Sequence, residues 1–323
     1  MKPTVELLER NWSLTPECKL IYIEKINFED KTYFISYPSR ATHLKESVKR
    51  VGVIVPPLLK LCSKGFQIIS GWGRLEAARE LNFEKIICHL LPPEADELFC
   101  LNLVVEENLT SRGLNLVEKA LAVEKYRNYI SDEEIIKEIL PRLGLPPHYY
   151  HFETLRAISS LGEETWELVV AEKLNPKVAT RLAKLDERSR KRFLLLLKEL
   201  KLSISRQRLL WEMLEDLSRK SGKSFELILE EDFITSLLNE KNISFQQKTE
   251  KLFKWLAHKL RPVIAAREEK AKVLSRSLHK LGAKIEIDPS GEKDLMRLEI
   301  AFKSLEELEK KWFQIKETLA KQL

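Results

Sequence analysis

The stretch FQIISGWGRLEAARELN, residues 66–82, constrains the fold of this chain most strongly. A short run of β-forming residues leads directly into a glycine turn, and the turn opens a segment with helical patterning. Three further strand patterns, LIYIEKI, LLKLC and KIICHLL, surround it, together with a second helical pattern, HLKESVKRVG. This alternation predicts a small α/β or α+β domain over residues 20–91.

The rest of the chain has two other patterns. Its 323 residues predict two or three domains. Residues 94–238 are helical almost throughout. A basic helical stretch follows, then the alternating strands AKIEI and LMRLEIAF and a final helix, SLEELEKKWFQIKETL. The predicted domains are 1–110, 111–223, a helical linker at 224–262, and 263–323.

Composition narrows the class of protein. Charged residues make up 32% and apolar residues 44%, which is typical of a globular, helix-rich protein. No apolar run approaches the roughly 20 residues that span a bilayer, and the first residues have no signal-peptide core. The four cysteines show no CxxC spacing, so no zinc site is expected. We predict a cytoplasmic protein without a membrane partner.

Positive charge is concentrated near the C-terminal end. The formal net charge is +6, and residues 245–282 alone hold ten basic and three acidic side chains. A basic stripe on one helix suits the phosphate backbone of DNA, and the alternative is a solvated helix face. The stripe residues expected to contact DNA are Lys270, Lys272, Arg276 and Lys280.

The glycine turn has the features of a phosphate site. A helix N-terminus offers free backbone N–H groups and the positive end of the helix dipole. Gly71 and Gly73 would let a phosphate approach the backbone, and Arg74 would add a charge-assisted, two-pronged hydrogen bond. The alternative is that the glycines serve only the tight turn.

A third segment, VVEENLTSRGLNLVEKALAVEKY, supports the phosphate interpretation. The order SVKRVG–P, then G-x-G-R-L-x-A-A, then E-N-L-x-x-x-x-L-N-x-x-E-x-A resembles the three boxes of the ParB N-terminal domain. Later segments follow the family's order to about residue 313. The resemblance implies an α+β fold. Its parts are a small ParB/sulfiredoxin-like α/β N-terminal domain, an all-helical middle domain with a helix-turn-helix, and a C-terminal helix–β-hairpin–helix dimerisation module.

The resemblance also implies a function. ParB proteins bind CTP in an N-terminal domain that closes as a gate between two subunits, after the helix-turn-helix region has loaded on a centromere-like DNA site. Glu107 and Asn108 are implied to hold the triphosphate and its Mg²⁺. The implied nucleotide-binding residues are Ser47, Gly52, Pro56, Gly71, Gly73, Arg74, Glu107, Asn108 and Arg112.

This chain departs from the family's pattern at the phosphate box. Trp72 stands where the family has the Glu implicated in hydrolysis, and Gly73 and Glu76 replace two arginines. Ser111 replaces a third, with Arg112 one place later. Each lost charged hydrogen bond is worth about 1.5–3 kcal/mol, so we expect weaker, altered or absent nucleotide binding and at most a weak CTPase. The related sulfiredoxins need a cysteine where Trp72 stands, which argues against thiol chemistry.

The candidate DNA reader spans residues 131–161. DEEIIKEIL would be the first helix of a helix-turn-helix and HYYHFETLRAISSL the recognition helix. The alternative is that the aromatic residues at the helix start anchor the core. The residues expected to reach phosphates or base edges are His148, Tyr149, Tyr150, His151, Arg156 and, in a later basic cluster, Arg181.

The sequence thus predicts a nucleoid-associated, dimeric, CTP-gated partition protein that acts on double-stranded DNA in chromosome or plasmid segregation. A ParA-type ATPase partner is doubtful, since the first residues hold only Lys2 and Arg10 as cations. One alternative is a nucleotide-independent transcriptional regulator of the same fold on a plasmid, phage or other mobile element. Another is a ParB-like NTPase or nuclease, which would need carboxylates that the sequence does not cluster. A third is a structural adaptor, in which Trp72 would fill the mouth of the pocket.

Overall fold

Internal contacts divide the chain into two units, Met1–Leu185 and Asp186–Leu323. The structure, a computed structural model, describes residues 17–39, 41–63, 65–262, 275–279, 281–287 and 296–322. Three of the predicted DNA contacts, Lys270, Lys272 and Lys280, lie outside the described residues. The finer domain boundaries at 110, 223 and 262 stay a prediction.

A five-stranded mixed sheet lies in the first unit, with strand order β1-β5-β3-β4-β2. The strands are β1 (Glu17–Tyr22), β2 (Ile26–Asn27), β3 (Leu58–Cys62), β4 (Gly65–Ser70) and β5 (Lys85–Leu91). The pairs β1–β5 and β3–β4 are antiparallel, whereas β3–β5 and β2–β4 are parallel. LIYIEKI, predicted as one strand, is broken by a 3₁₀ turn at Ile23–Lys25, because Ile26 pairs with Phe66 at the far edge of the sheet.

Helix α2 (Trp72–Glu80) packs on this sheet, and α1 (Ala41–Val51) packs against α2. Leu59, Ile68, Leu75 and Cys88 are fully buried between the sheet and α2. Each buried aliphatic side chain contributes about 1.5–3 kcal/mol, so this layer fixes the position of the turn at the start of α2. Burial raises the pKa of the Cys88 thiol to about 12, as expected for an unreactive core cysteine.

Six further helices lie in the described part of the first unit. They are α3 (Glu97–Ser111), α4 (Leu116–Tyr126), α5 (Asp132–Glu134, a π turn over Ile135–Ile139, and Leu140–Arg142), α6 (Tyr149–Ser159), α7 (Glu163–Val170) and α8 (Pro176–Leu182). The helix starts predicted at Asn115 and Ser131 are capping boxes, in which each residue exchanges hydrogen bonds with a glutamate three places later. Helix α6 packs against α4 and α8.

The second unit is mainly helical. Its elements are α9 (Glu187–Leu200), α10 (Ile204–Ser221), α11 (Phe225–Leu229), α12 (Asp232–Asn239), α13 (Phe245–Leu260), β6 (Ala283–Ile287), β7 (Met296–Ile300) and α14 (Leu305–Gln322). Strands β6 and β7 form the predicted antiparallel hairpin. Leu278, Ala283 and Ile315 form a small buried cluster beside it. None of the helices in the described ranges is long and apolar enough to cross a membrane.

Candidate functional site

A cavity of about 290 Å³ lies where the end of β4, the start of α2 and the C-terminal half of α3 meet. Two segments that lie about 30 residues apart in sequence therefore share one wall, as the sequence predicted for its second and third boxes. The predicted residues on this wall are Gly71, Gly73, Arg74, Glu107, Asn108 and Arg112. Ser47, Gly52 and Pro56, predicted from the first box, do not line it.

Both the backbone conformation and the lack of space for a Cβ require glycine at position 71. Its φ of +92° lies in the left-handed region, which glycine tolerates best. A Cβ at this position would approach the Cβ of Pro57 to 2.8 Å and a guanidinium nitrogen of Arg74 to 2.9 Å. The Gly71 carbonyl accepts the N–H groups of Arg74 and Leu75, so those of Trp72 and Gly73 have no helical partner. The turn thus offers backbone donors beside the cavity.

Arg74 is held by groups on both sides of the cavity. Its Nη1 donates to the Val55 carbonyl at 2.9 Å, and its Nη2 donates to Glu107 Oε1 at 2.6 Å. The Ser70 hydroxyl donates to the second oxygen of Glu107. Arg74 is therefore fixed in place, and an anion that binds it must compete with the Glu107 carboxylate.

Arg112 also lines the cavity, but its guanidinium pairs with Glu118, a carboxylate that does not line it. Its two terminal nitrogens donate to the two oxygens of Glu118, at 2.8 and 2.7 Å. Glu118 is fully buried and also accepts the backbone N–H groups of Tyr37 and Asn115. The role of Glu118 as counter-ion was missed from the sequence, although its place in the capping box with Asn115 was the available signal.

Trp72 is part of the core and not a plug at the mouth of the cavity. Its ring is buried and makes edge-on contacts with Phe34 at 4.9 Å and Phe28 at 6.2 Å between ring centroids. The adaptor alternative, which required Trp72 to fill the mouth, is not what the described residues form. The indole Nε1 is buried and has no hydrogen-bond acceptor among them.

The formal charges of the four charged side chains on the cavity wall sum to zero. Arg74 and Arg112 face Glu76 and Glu107, and Glu76 accepts a hydrogen bond from the Ser39 hydroxyl at 3.3 Å. Asn108 donates its amide to the Val104 carbonyl at 2.8 Å, so its remaining polar atom is an oxygen. Across the described ranges, no three His, Cys, Asp or Glu side chains group to hold a metal ion. Glu107 and Asn108 could therefore contribute only part of a metal's coordination, with a ligand supplying the rest.

The candidate recognition helix, α6, presents aromatic rings at its start. His148 caps this helix, since its Nδ1 accepts the Tyr150 N–H at 3.0 Å. The side chains of Tyr149 and Tyr150 are 61% and 40% exposed, so these two rings are not the core anchors of the alternative interpretation. Phe152, one turn on, is the buried anchor instead. Arg156 pairs with Glu153 on the same helix, and Arg181 belongs to the neighbouring α8.

A series of contacts joins the cavity to α6. The Tyr37 N–H donates to Glu118, the counter-ion of Arg112. The Tyr37 ring meets Trp166 edge-on at 5.3 Å, and the Trp166 Nε1 donates to the Ile158 carbonyl on α6 at 2.7 Å. Neither Tyr37 nor Trp166 was predicted from the sequence, because single aromatic residues outside a repeated pattern carry no signal. A change at Arg112 thus has a direct structural route to the candidate recognition helix.

Comparison with known proteins gives structural neighbours only. No protein-family model matches the chain, and no curated protein matches its sequence. Among the matching solved structures is the C-terminally truncated chromosome-partitioning protein ParB from Caulobacter crescentus complexed with CTP-gamma-S. It is 20% identical, with a TM-score of 0.26, and covers 53% of this chain and 94% of that one.

The same Caulobacter protein complexed to the centromeric parS site matches at 19% identity and a TM-score of 0.34, over 59% of this chain and 97% of that one. A Pnob8-like ParB-N domain matches at 16% identity and a TM-score of 0.38, over 70% and 97%. This chain is similar to ParB proteins. With identities of 20% or less and TM-scores below 0.4, these matches establish a resemblance and carry no conclusion about function.

The basic stripe of the ParB-like chain is only partly available to DNA. Lys248 was counted in the stripe, but it is buried and donates to the Leu238 carbonyl at 2.9 Å. Lys251 pairs with Glu240 at 3.0 Å, and Lys259 pairs with Glu231 at 3.1 Å. Much of the positive charge of the stripe before residue 260 is therefore paired within the helical unit. Arg276 is exposed, and it is the one predicted stripe contact that falls inside the described ranges.

Proposed function

We propose that this chain is a ParB-like, homodimeric DNA-binding partition protein whose α/β region binds a nucleotide at the glycine-turn cavity. The observation that carries the proposal is the convergence of two distant sequence boxes on one wall. There Gly71 leaves space beside the backbone, and Arg74 and Glu107 lie within hydrogen-bonding distance. Gly71 and Arg74 were expected here for their chemistry toward phosphate, and Glu107 is implied by the ParB resemblance.

The residues present fit a nucleotide phosphate that brings its own Mg²⁺. The free N–H groups at the start of α2 and the Arg74 guanidinium would hold phosphate oxygens. Glu107 and Asn108 would offer oxygens to the ion, which would supply the positive charge that the wall lacks. Because no carboxylate occupies the position of Trp72, we expect at most weak hydrolysis. CTP is the nucleotide that the ParB resemblance implies.

Calorimetric titration with CTP and Mg²⁺, with ATP as the control ligand, tests nucleotide binding. We expect CTP to bind in the micromolar to sub-millimolar range, and Arg74→Ala to weaken it by about tenfold or more, since one charged hydrogen bond is worth about 1.5–3 kcal/mol. Arg79→Ala is the matched control, because Arg79 lies on the same helix but stacks on Phe28. No heat with either nucleotide would contradict the nucleotide part of the proposal.

DNA contact is proposed at the start of α6. Exposed Tyr149 and Tyr150, the capping His148 and the positive end of the helix dipole form this surface, with Arg156 about two turns further. Arg181 and the exposed Arg276 would add phosphate contacts. His151, beside Tyr150, completes the predicted set.

Fluorescence anisotropy with a labelled DNA duplex tests this surface. We expect binding whose log–log dependence on salt has a slope of roughly −0.9 for each phosphate contact. Tyr149→Glu should weaken it by about tenfold, because a carboxylate would face the phosphates. Leu227→Glu places the same charge at another exposed apolar position, in α11, and should have little effect. Absence of salt-dependent binding, or equal losses in both variants, would refute the DNA proposal.

The C-terminal hairpin and helix support the proposed dimer. A two-stranded hairpin is marginal by itself, and among the described residues three buried side chains lie beside this one. Leu305 and Phe313 on the final helix are 76% and 67% exposed. Association of two copies would bury such side chains, as expected for an apolar interaction surface. A ParA-type ATPase partner, nucleoid association and a role in segregation are the further parts of this proposal.

A second candidate function is a nucleotide-independent transcriptional regulator of the same fold. It is favoured by one observation, that both arginines at the cavity already have carboxylate partners, Glu107 and Glu118. Such a protein would bind one operator with an affinity that CTP does not change. The calorimetric titration therefore separates the two candidates.

A further inference from the structure

A second groove lies between α12 and α13 in the helical unit. Its volume is about 460 Å³. Both helices contribute residues at helical spacing, which places side chains on one helix face. The lining residues are Phe233, Ser236 and Leu237 on α12, Glu240 directly after it, and Lys251, Lys254, Trp255 and His258 on α13.

The floor of this groove is apolar and already ordered. The rings of Phe233 and Trp255 stack face to face, 5.1 Å apart and within 7° of parallel. Leu237 is buried beside them. An ordered aromatic floor needs little rearrangement to bind an apolar ligand, and this lowers the entropic cost of association.

The rim of the groove carries unbalanced positive charge. Lys251 is neutralised by Glu240, and Lys259, which lies over the Trp255 ring at 5.3 Å, is neutralised by Glu231. Lys254 is exposed and forms no ion pair with any described residue. His258 lies one turn further along the same rim. A ligand that complements this rim should be acidic at its edges.

We propose that this groove binds an amphipathic helix of a partner protein, with apolar residues at helical spacing and acidic residues beside them. Two lining stripes at helical spacing match the packing of a third helix across a helix pair. Acidic edge residues would complement Lys254. DNA is a poorer occupant, because phosphates would contact the rim and leave the stacked aromatic floor unused.

Fluorescence anisotropy on the full chain, with a designed peptide as the probe, tests the proposal. The probe is a fluorescein-labelled helical peptide of about five turns, with leucines at i, i+3, i+4 and i+7 and glutamates at the flanking positions. A twin peptide carries lysine in place of each glutamate. We expect the acidic probe to bind at least about tenfold more tightly than its twin, since like charges at a rim suppress binding.

Two variants locate the binding. Ser236→Trp fills the groove from an exposed position and should weaken the acidic probe by about tenfold or more, with an unchanged circular dichroism spectrum and melting temperature. Lys254→Glu should weaken it about fivefold or more. Lys137→Glu makes the same charge change at an exposed site in the first unit and should leave the affinity unchanged.

Several results would overturn the proposal. Equal binding of the two peptides, no binding, or an affinity that Ser236→Trp leaves unchanged would each do so. Loss of oligonucleotide binding without loss of peptide binding in Ser236→Trp would make the groove a nucleic-acid site. Conversion of a sedimenting dimer to a monomer by Ser236→Trp would show that a second copy of the chain covers it. None of these results depends on whether CTP or DNA binds the first unit.

Discussion

Replacing Glu118 with alanine is expected to lower the free energy of unfolding by about 3–5 kcal/mol. The fully buried carboxylate accepts both terminal nitrogens of Arg112 and the backbone N–H groups of Tyr37 and Asn115. Alanine would leave the Arg112 guanidinium, whose side chain is only 17% exposed, without its counter-ion. It would also leave two N–H groups without an acceptor. Urea denaturation followed by circular dichroism measures the loss.

Glu124→Ala is the matched control for this prediction. Glu124 lies on the same helix and pairs with Arg127 at the surface, so its removal should cost less than about 0.5 kcal/mol. Glu118→Gln keeps one acceptor oxygen and keeps the comparison measurable if the alanine variant does not fold. Replacing Arg112 and Glu118 together by leucine should cost less than the sum of the single changes, because neither charge is then left alone. Similar losses for Glu118→Ala and Glu124→Ala would contradict the prediction.

Local sequence signals predicted the elements around the cavity well. The strand at residues 66–70, the glycine turn and the helix after it lie where the pattern placed them, because each depends on neighbours within a few residues. The capping boxes at Asn115 and Ser131 were readable for the same reason. The mixed α+β class follows from these elements and was correctly predicted.

Partners across the fold were not predictable in the same way. Arg74 was expected to face a phosphate, but its choice of Glu107 depends on how α3 crosses the end of β4. Lys248 seemed to belong to a solvent-facing stripe, yet its ammonium donates to the Leu238 carbonyl of α12. Both outcomes depend on packing between segments that one-dimensional periodicity does not relate.

For Trp72 too, the environment in the fold differs from what the sequence alone indicated. From the sequence, tryptophan in place of a hydrolytic glutamate indicated only a loss of chemistry or a blocked pocket. In the fold, the ring completes the aromatic core with Phe28 and Phe34 and leaves a cavity beside it. A large aromatic residue at a helix start can bury most of its surface in the layer below, so residue size alone does not indicate a blocked site.

Glu107→Gln is expected to strengthen CTP binding at the cavity without Mg²⁺ and to weaken it with Mg²⁺. Without Mg²⁺, a phosphate that approaches Arg74 also meets the Glu107 carboxylate, 2.6 Å from the guanidinium. Two like unit charges about 4 Å apart repel by about 4 kcal/mol at an effective dielectric constant of 20, and solvent reduces this at a half-exposed wall. We therefore expect the variant to bind metal-free CTP about tenfold more tightly than the wild type does.

With Mg²⁺ the order should invert, because the wild-type carboxylate can bind the ion and release Arg74 to the phosphates, whereas glutamine is a weaker ligand for Mg²⁺. Calorimetric titration of both proteins in EDTA and in Mg²⁺ measures the two effects. Glu106→Gln is the matched control, since the neighbouring Glu106 pairs with Arg142 and does not line the cavity. If Glu107→Gln binds CTP as the wild type does in both buffers, the phosphates do not reach Arg74. The ion pair would then be purely structural, whereas no CTP binding by either protein would favour the nucleotide-independent regulator.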